Sequence, residues 1–453
     1  MPNEPAPDSF RYELAHGTIS VTTDGRTSRN THNAFSIGFG ILDQAFISAA
    51  GFLIILLIAR YSSVNELGRF SLAMAAIYFA ASIQNSLIIA PHAVLAAPLP
   101  DSQFQEATSS GLLAQLVLCG ASSLFMLMLA LCSRAFTNSL TSVFVIAAFA
   151  AATLQLQEFF RRVLYCKLHT GMAFANNLVN FAILSLLVAT AAATDRLNSV
   201  TSLGALAIAA AVAASIGAIQ IRGSVSLSVS VEHVFHWWRS AWTIGSWLVA
   251  SSLLGWATTS LFPFFLAGFV GLAEVAVLRA AQSLLGLSNI IFRFLDATML
   301  PRAASVFAER GKTGLNRFLR RTWLLILPVF LIVLVFSVLL GETVMARLFG
   351  SSFVEDAWIL IPLSIALLLT SVSSVLGMGL KAMHQTSSQF YAYLAASLIN
   401  ITMGLLIVWR FGLEGAAVGV VLSNAAIFIV SWYYFILLTD PVTLRLGSQQ
   451  SRE

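Results

Sequence analysis

Residues 274 to 300 read EVAVLRAAQSLLGLSNIIFRFLDATML. At about 1.5 Å of rise per residue, a helix of this length crosses a bilayer. Its polar residues are ordered: Arg279, Gln282, Gly286, Asn289, Arg293 and Asp296 follow one another at steps of three or four, so they share one helical face. An arginine at bilayer depth costs at least about 2.5 to 3.5 kcal/mol, and such residues turn to a bundle interior or a water-filled cavity. The stripe therefore implies a polar path through a membrane protein. Arg293 and Asp296, three apart, are placed to neutralise each other as a structural pair. Arg279 has its nearest acid, Glu274, five residues back on a different face, so its charge points to function.

Composition agrees with a membrane protein. Of 453 residues, 58% are hydrophobic and 10% charged, which overrules the several soluble domains that length alone suggests. Cys119, Cys132 and Cys166 have neither disulfide-framework nor metal spacing and read as small core residues. No metal site and no cofactor are expected. The net charge of +5 gathers in particular connections, so it signals topology and not nucleic-acid binding.

Twelve apolar segments follow a polar, proline-bearing tail: 36–59, 69–97, 109–131, 141–160, 171–193, 201–221, 240–267, 274–300, 322–345, 357–381, 388–410 and 414–438. The expected domains are a disordered tail (1–34), a six-helix bundle (35–221), a linker (222–239), a second six-helix bundle (240–438) and a short tail (439–453). Phe35-Ser36-Ile37-Gly38 and Trp242-Thr243-Ile244-Gly245 open the first spans of the two halves, a weak internal repeat. The even connections carry most of the basic residues, densest from Arg302 to Arg321. By the positive-inside rule both termini are cytoplasmic.

Other spans carry polar positions. Tyr78, Ser82, Asn85, Ile89 and His92 share a face of the second span, where Pro91 predicts a kink. Glu158 with Arg161 and Arg162 reads as a helix-end ion pair, and Asn176, Asn177 and Asn180 as helix-to-helix hydrogen bonding. Asp43 lies about two turns inside the first span with no base within four positions. Such an acid either binds a proton or sodium ion for coupling or stays buried and protonated. Gly311-Lys312-Thr313 lacks the first glycine of a phosphate-binding loop, because Val306 stands there, so no ATPase is predicted.

Two six-helix halves, the polar tail, the run LGRFSLAMAAIYFAASIQNSLIIAPHAVLAAP from Leu67 to Pro98, and Pro301-Arg302 closing the eighth span together resemble bacterial polysaccharide transport proteins. These are the O-antigen and exopolysaccharide flippases of the multidrug/oligosaccharidyl-lipid/polysaccharide exporter superfamily. The resemblance implies an all-α polytopic fold of two pseudo-symmetric six-helix bundles in the bacterial inner membrane. It also implies alternating access that carries an undecaprenyl-pyrophosphate-linked oligosaccharide outward. Its partners would be that lipid-linked substrate, the bilayer and polysaccharide assembly proteins, with no nucleic acid. Arg279, Gln282, Asn289, Arg293, Asp296, Asn85 and His92 are the candidate substrate path, and Asp43 is the candidate for cation coupling. A cation-coupled drug antiporter is the nearest alternative, although a cavity for cationic drugs calls for acids where this chain places Arg279. A sugar polymerase or ligase calls for a large periplasmic loop that is missing here, and a lipid II flippase for further C-terminal helices.

Overall fold

A computed structural model describes residues 26–134, 138–226, 231–383, 385 and 387–439; side chains are described from Leu42 on, apart from those at 138, 231, 293, 294, 296, 297 and 439. The described chain is helical and contains no strand, as a bilayer demands of a backbone whose polar groups must be satisfied internally. Six helices form the N-terminal half: α1 (Arg26–Tyr61), α2 (Val64–Leu95), α3 (Asp101–Ser133), α4 (Asn138–Cys166), α5 (Thr170–Ala193) and α6 (Ser199–Gln220). The C-terminal half begins with α7, Val231–Ser260, bent by 46° into Phe262–Phe269. It continues with α8 (Leu272–Phe292), α9 (Leu300–Phe349) and α10 (Leu360–Ala382), and ends with α11 and α12 at residues 387–411 and 413–439.

Ten of these helices are long and apolar enough to cross a bilayer, and the bent pair makes an eleventh. The last, Ser387–Leu438, is 52 residues long, far beyond the roughly 20 that one crossing needs. It is two rods joined at Gly412, whose φ of 57° belongs to the left-handed region that favours glycine. Twelve rods of spanning length thus stand among the described residues, counting the bent pair as one, and this is a multi-pass membrane protein.

Three boundaries differ from the sequence reading. The helix of the first span reaches back to Arg26, into the stretch expected as tail, and α7 starts at Val231, inside the expected linker. The basic connection 301–321 is helical on both sides of Gly311 (φ 60°), so its charges lie on helices and not on a loop. An abundance of leucine, alanine and arginine there outweighs the helix-breaking glycine, which is confined to the turn.

Small residues let the rods approach. A Cβ on Gly217 of α6 would lie 2.8 Å from the Cβ of Phe160 in α4, and one on Gly245 of α7 would lie 2.8 Å from the carbonyl oxygen of Ser86 in α2. The halves are joined crosswise, the first span of each packing on the second of the other: α1 on α8 and α7 on α2, with α2 and α8 side by side. The buried apolar residues divide unevenly. At the end bearing the odd connections a single cluster crosses the seam, from Ile54, Leu67 and Phe70 to Val275, Phe349 and Val408. At the other end there are two separate clusters. Phe104, Phe159 and Leu164 belong to one, and Leu315, Leu319 and Leu380 to the other. The halves therefore share one core at the odd-loop end, whereas at the even-loop end the core is divided and α7 joins them, its Trp237 and Ala241 buried in the cluster of Phe104 and Phe159.

Candidate functional site

Within the C-terminal half lies a cavity of about 580 Å³, walled by α7, α8, α10, α11 and α12 and closed on one side by Tyr78 of α2. Arg279, Gln282, Gly286 and Asn289 all line it, so the first four positions of the stripe share a surface. The helix keeps them together despite two changes of pitch. Residues Gly286–Ser288 tighten into a 3₁₀ turn, and Leu295–Met299 widen into a π segment just before Pro301. Proline has no N–H to give the preceding turn, which accounts for the widening. The second span repeats this: a π segment, Asn85–Ile89, precedes Pro91. Arg293 and Asp296 lie in α-helix and π segment respectively, and their side chains fall outside the described residues.

Arg279 is half-buried and meets one side chain. Its Nη2 donates to the Tyr78 hydroxyl at 3.3 Å, and its guanidinium carbon sits 5.6 Å from the centre of the Tyr78 ring. The Arg279 Nε is buried without a hydrogen-bond partner. No aspartate or glutamate lines the cavity among the described residues. A fixed cation in a concave, acid-free space is suited to an anion, because guanidinium stays charged and offers forked hydrogen bonds to phosphate or carboxylate.

The sequence reading missed the opposite wall. Thr370, Ser374, Gly377 and Lys381 of α10 line the cavity at steps of three and four, a stripe as regular as that of α8. The spacing was available, but only Lys381 carries a charge to draw notice. Asn424 of α12 faces the same space and accepts from Thr370 Oγ1 at 2.8 Å.

The other candidates lie elsewhere. Asn85 is exposed and does not line this cavity. His92 is buried in the N-terminal half, its ring 5.8 Å from those of Phe104 and Phe159, with neither ring nitrogen hydrogen-bonded. Asp43 corrects the expectation of a lone acid. It is buried, and its Oδ2 accepts from Arg161 Nη1 at 2.5 Å and from the Tyr165 hydroxyl at 2.6 Å, while Asn177 Nδ2 donates to its backbone carbonyl at 3.1 Å. The neutralising base is 118 residues away in sequence, beyond any local inspection. Arg161 also reaches Glu158, which holds Arg162 at 2.6 Å, so the expected helix-end pair is part of a four-residue chain of charges. Asn176 donates to the Ala213 carbonyl at 2.7 Å, the helix-to-helix role expected of it.

No protein-family model matches the chain. Among curated proteins it resembles Agl15 of Haloferax volcanii, named a "probable low-salt glycan biosynthesis flippase", with 23% identity over 200 residues, 43% of this chain and 42% of that one. The matched stretch spans less than half the length of the curated relatives. Among solved structures the fold resembles an inward-facing multidrug resistance transporter of the MATE family and MOP superfamily, with TM-score 0.64, 16% identity, and 88% of this chain covering 94% of that one. It also resembles the lipid II flippase MurJ in an inward closed conformation, with TM-score 0.63, 15% identity and coverage of 89% and 90%. The chain thus has the fold of these membrane transporters.

Proposed function

We propose that the chain is a flippase that moves a lipid-linked oligosaccharide, carried on a polyprenyl pyrophosphate such as undecaprenyl pyrophosphate, across the inner membrane by alternating access. The observation that carries this reading is Arg279: among the described residues, a cation in a cavity lined by no acid, with the phenol of Tyr78 as its hydrogen-bond partner. A pyrophosphate leaving the headgroup region needs compensation of its charge, and a guanidinium supplies it at any physiological pH. The glycan-flippase name of Agl15 and the fold shared with MurJ point the same way. A cavity for cationic drugs would place acids where this chain has Arg279 and Lys381. With the even connections cytoplasmic, both termini lie in the cytoplasm and the end at which the core is divided faces the side on which the substrate is made. A proton or sodium gradient acting at Asp43 is part of the reading, since its Oδ1 is left without a partner while Oδ2 is held.

Complementation of surface polysaccharide in a strain lacking the gene tests the reading, with membrane levels checked by blotting. Arg279→Glu should abolish the polysaccharide, and Arg279→Lys, which keeps the charge but loses the fork, should retain part of it. Full complementation by a normally inserted Arg279→Glu protein would refute the anionic cavity.

A further inference from the structure

Tyr78 and Arg279 belong to different halves of the molecule, on α2 and α8, yet each is the other's partner at the cavity wall. They sit at the edge of the shared apolar core. Ala76, Ile77 and Ala80 on one helix, and Val277, Leu278 and Ala280 on the other, are buried in the cluster that fuses the halves at the odd-loop end. The pair therefore lies where the shared core meets the cavity. For the odd-loop end to open, this shared core has to part between α2 and α8.

A charged group held by a phenol face and hydroxyl is held more weakly than one held by a carboxylate. A cation over an aromatic ring contributes about 0.5 to 1 kcal/mol when exposed and about 2 when desolvated. An arriving diphosphate offers the same guanidinium forked, charge-assisted bonds, roughly twice as strong as neutral ones. The two partners compete for one group. Resting on the reading of the cavity as an anion site, we infer that Tyr78 is a latch: it holds Arg279 across the seam while the cavity is empty and is displaced when a pyrophosphate occupies the cavity, which loosens the fused end. Loading is thereby tied to opening by a ligand that binds the unlatched state better than the latched one, which is the requirement for any ligand to shift a conformational equilibrium.

The latch makes a prediction opposite to that of an ordinary binding residue. If Tyr78 merely helped to bind the anion, removing its hydroxyl would weaken binding; if it competes, removal tightens binding, because the cost of unlatching has already been met. The test uses the full-length protein in phosphatidylcholine nanodiscs, with Cys119, Cys132 and Cys166 replaced by alanine and paramagnetic labels at Asn65 and Ser351, two exposed odd-loop-end positions on opposite halves. Inorganic pyrophosphate is the probe, read by equilibrium binding and by the distance between labels. In the otherwise unchanged protein, pyrophosphate should bind and lengthen the distance. Tyr78→Phe should bind several-fold more tightly and should show, before any ligand is added, a shift of roughly tenfold toward the longer distance. Tyr78→Ala, which removes the ring face as well, should go further in the same direction. Binding that is unchanged or weaker in Tyr78→Phe, or label distances equal to those of the parent, overturns the latch and leaves the anion site standing. Absence of saturable pyrophosphate binding in the parent, with no further loss in Arg279→Gln, overturns the reading of the cavity itself.

Discussion

In the N-terminal half, Arg161 meets Asp43 and Glu158 at 2.5 Å each, and Arg162 completes the chain of charges on Glu158. In the C-terminal half, Arg279 faces a cavity and meets a phenol. Both arginines lie in membrane-spanning helices, and each answers the cost of that position differently. Arg161 is neutralised by acids from two helices and packed away, its side chain 8% exposed. Arg279 is left with room for water or a ligand beside it. Paired charge in a membrane fixes one helix against another, and unpaired charge beside a cavity waits for something else. The contrast carries the functional assignment, because Arg161 is held by acids while Arg279 faces a cavity.

The sharpest way to break this contrast is to remove Arg161. Truncating one partner of a buried ion pair leaves an uncompensated charge and costs about 3 to 5 kcal/mol. Arg161→Gln should therefore lower thermal stability in detergent steeply, with partial rescue by Asp43→Asn, whereas Arg279→Gln should leave stability nearly unchanged. Equal losses in the two variants would mean that Arg279 is also structural. Asp43→Asn by itself is a milder change, since Arg161 keeps Glu158. If Asp43 couples transport to a cation, this variant should abolish the response of flipping to a proton or sodium gradient in proteoliposomes while the protein stays folded. An unchanged response assigns Asp43 to the structural cluster alone. The smallest effect is expected at His92, whose ring nitrogens are buried without partners among Phe104 and Phe159. His92→Phe removes two unsatisfied polar atoms and should be neutral or slightly stabilising, within about 1 kcal/mol, with transport intact. Loss of transport at normal expression would restore His92 to the substrate path.

What the sequence made legible was local. Twelve apolar runs marked the spans, and three-and-four spacing placed Arg279, Gln282, Gly286 and Asn289 on one surface, because both signals arise within a single helix. The partners that decide what those residues do are not local. Arg161 lies 118 residues from Asp43, and Tyr78 lies 201 from Arg279. No periodicity spans such distances, so a neutralised acid looked solitary. Glycine misled in a different way: Gly311 was read as part of a basic loop, yet its positive φ makes it a one-residue turn between two helices. The division of the apolar core, continuous at one end and split at the other, was invisible for the same reason as the ion pairs, since it depends on which helices of the two halves meet.

The most direct test of where the substrate goes is to couple it to the protein. A photoactivatable isoprenoid pyrophosphate, with its reactive group next to the diphosphate, can be added to the protein in nanodiscs, irradiated and mapped by mass spectrometry. The account predicts label on peptides of α8, α10 and α12 around Arg279, Thr370 and Asn424, suppressed by excess pyrophosphate and lost in Arg279→Glu. Label concentrated instead on α1 and α4 around Asp43 and Arg161, and undiminished in Arg279→Glu, would contradict it.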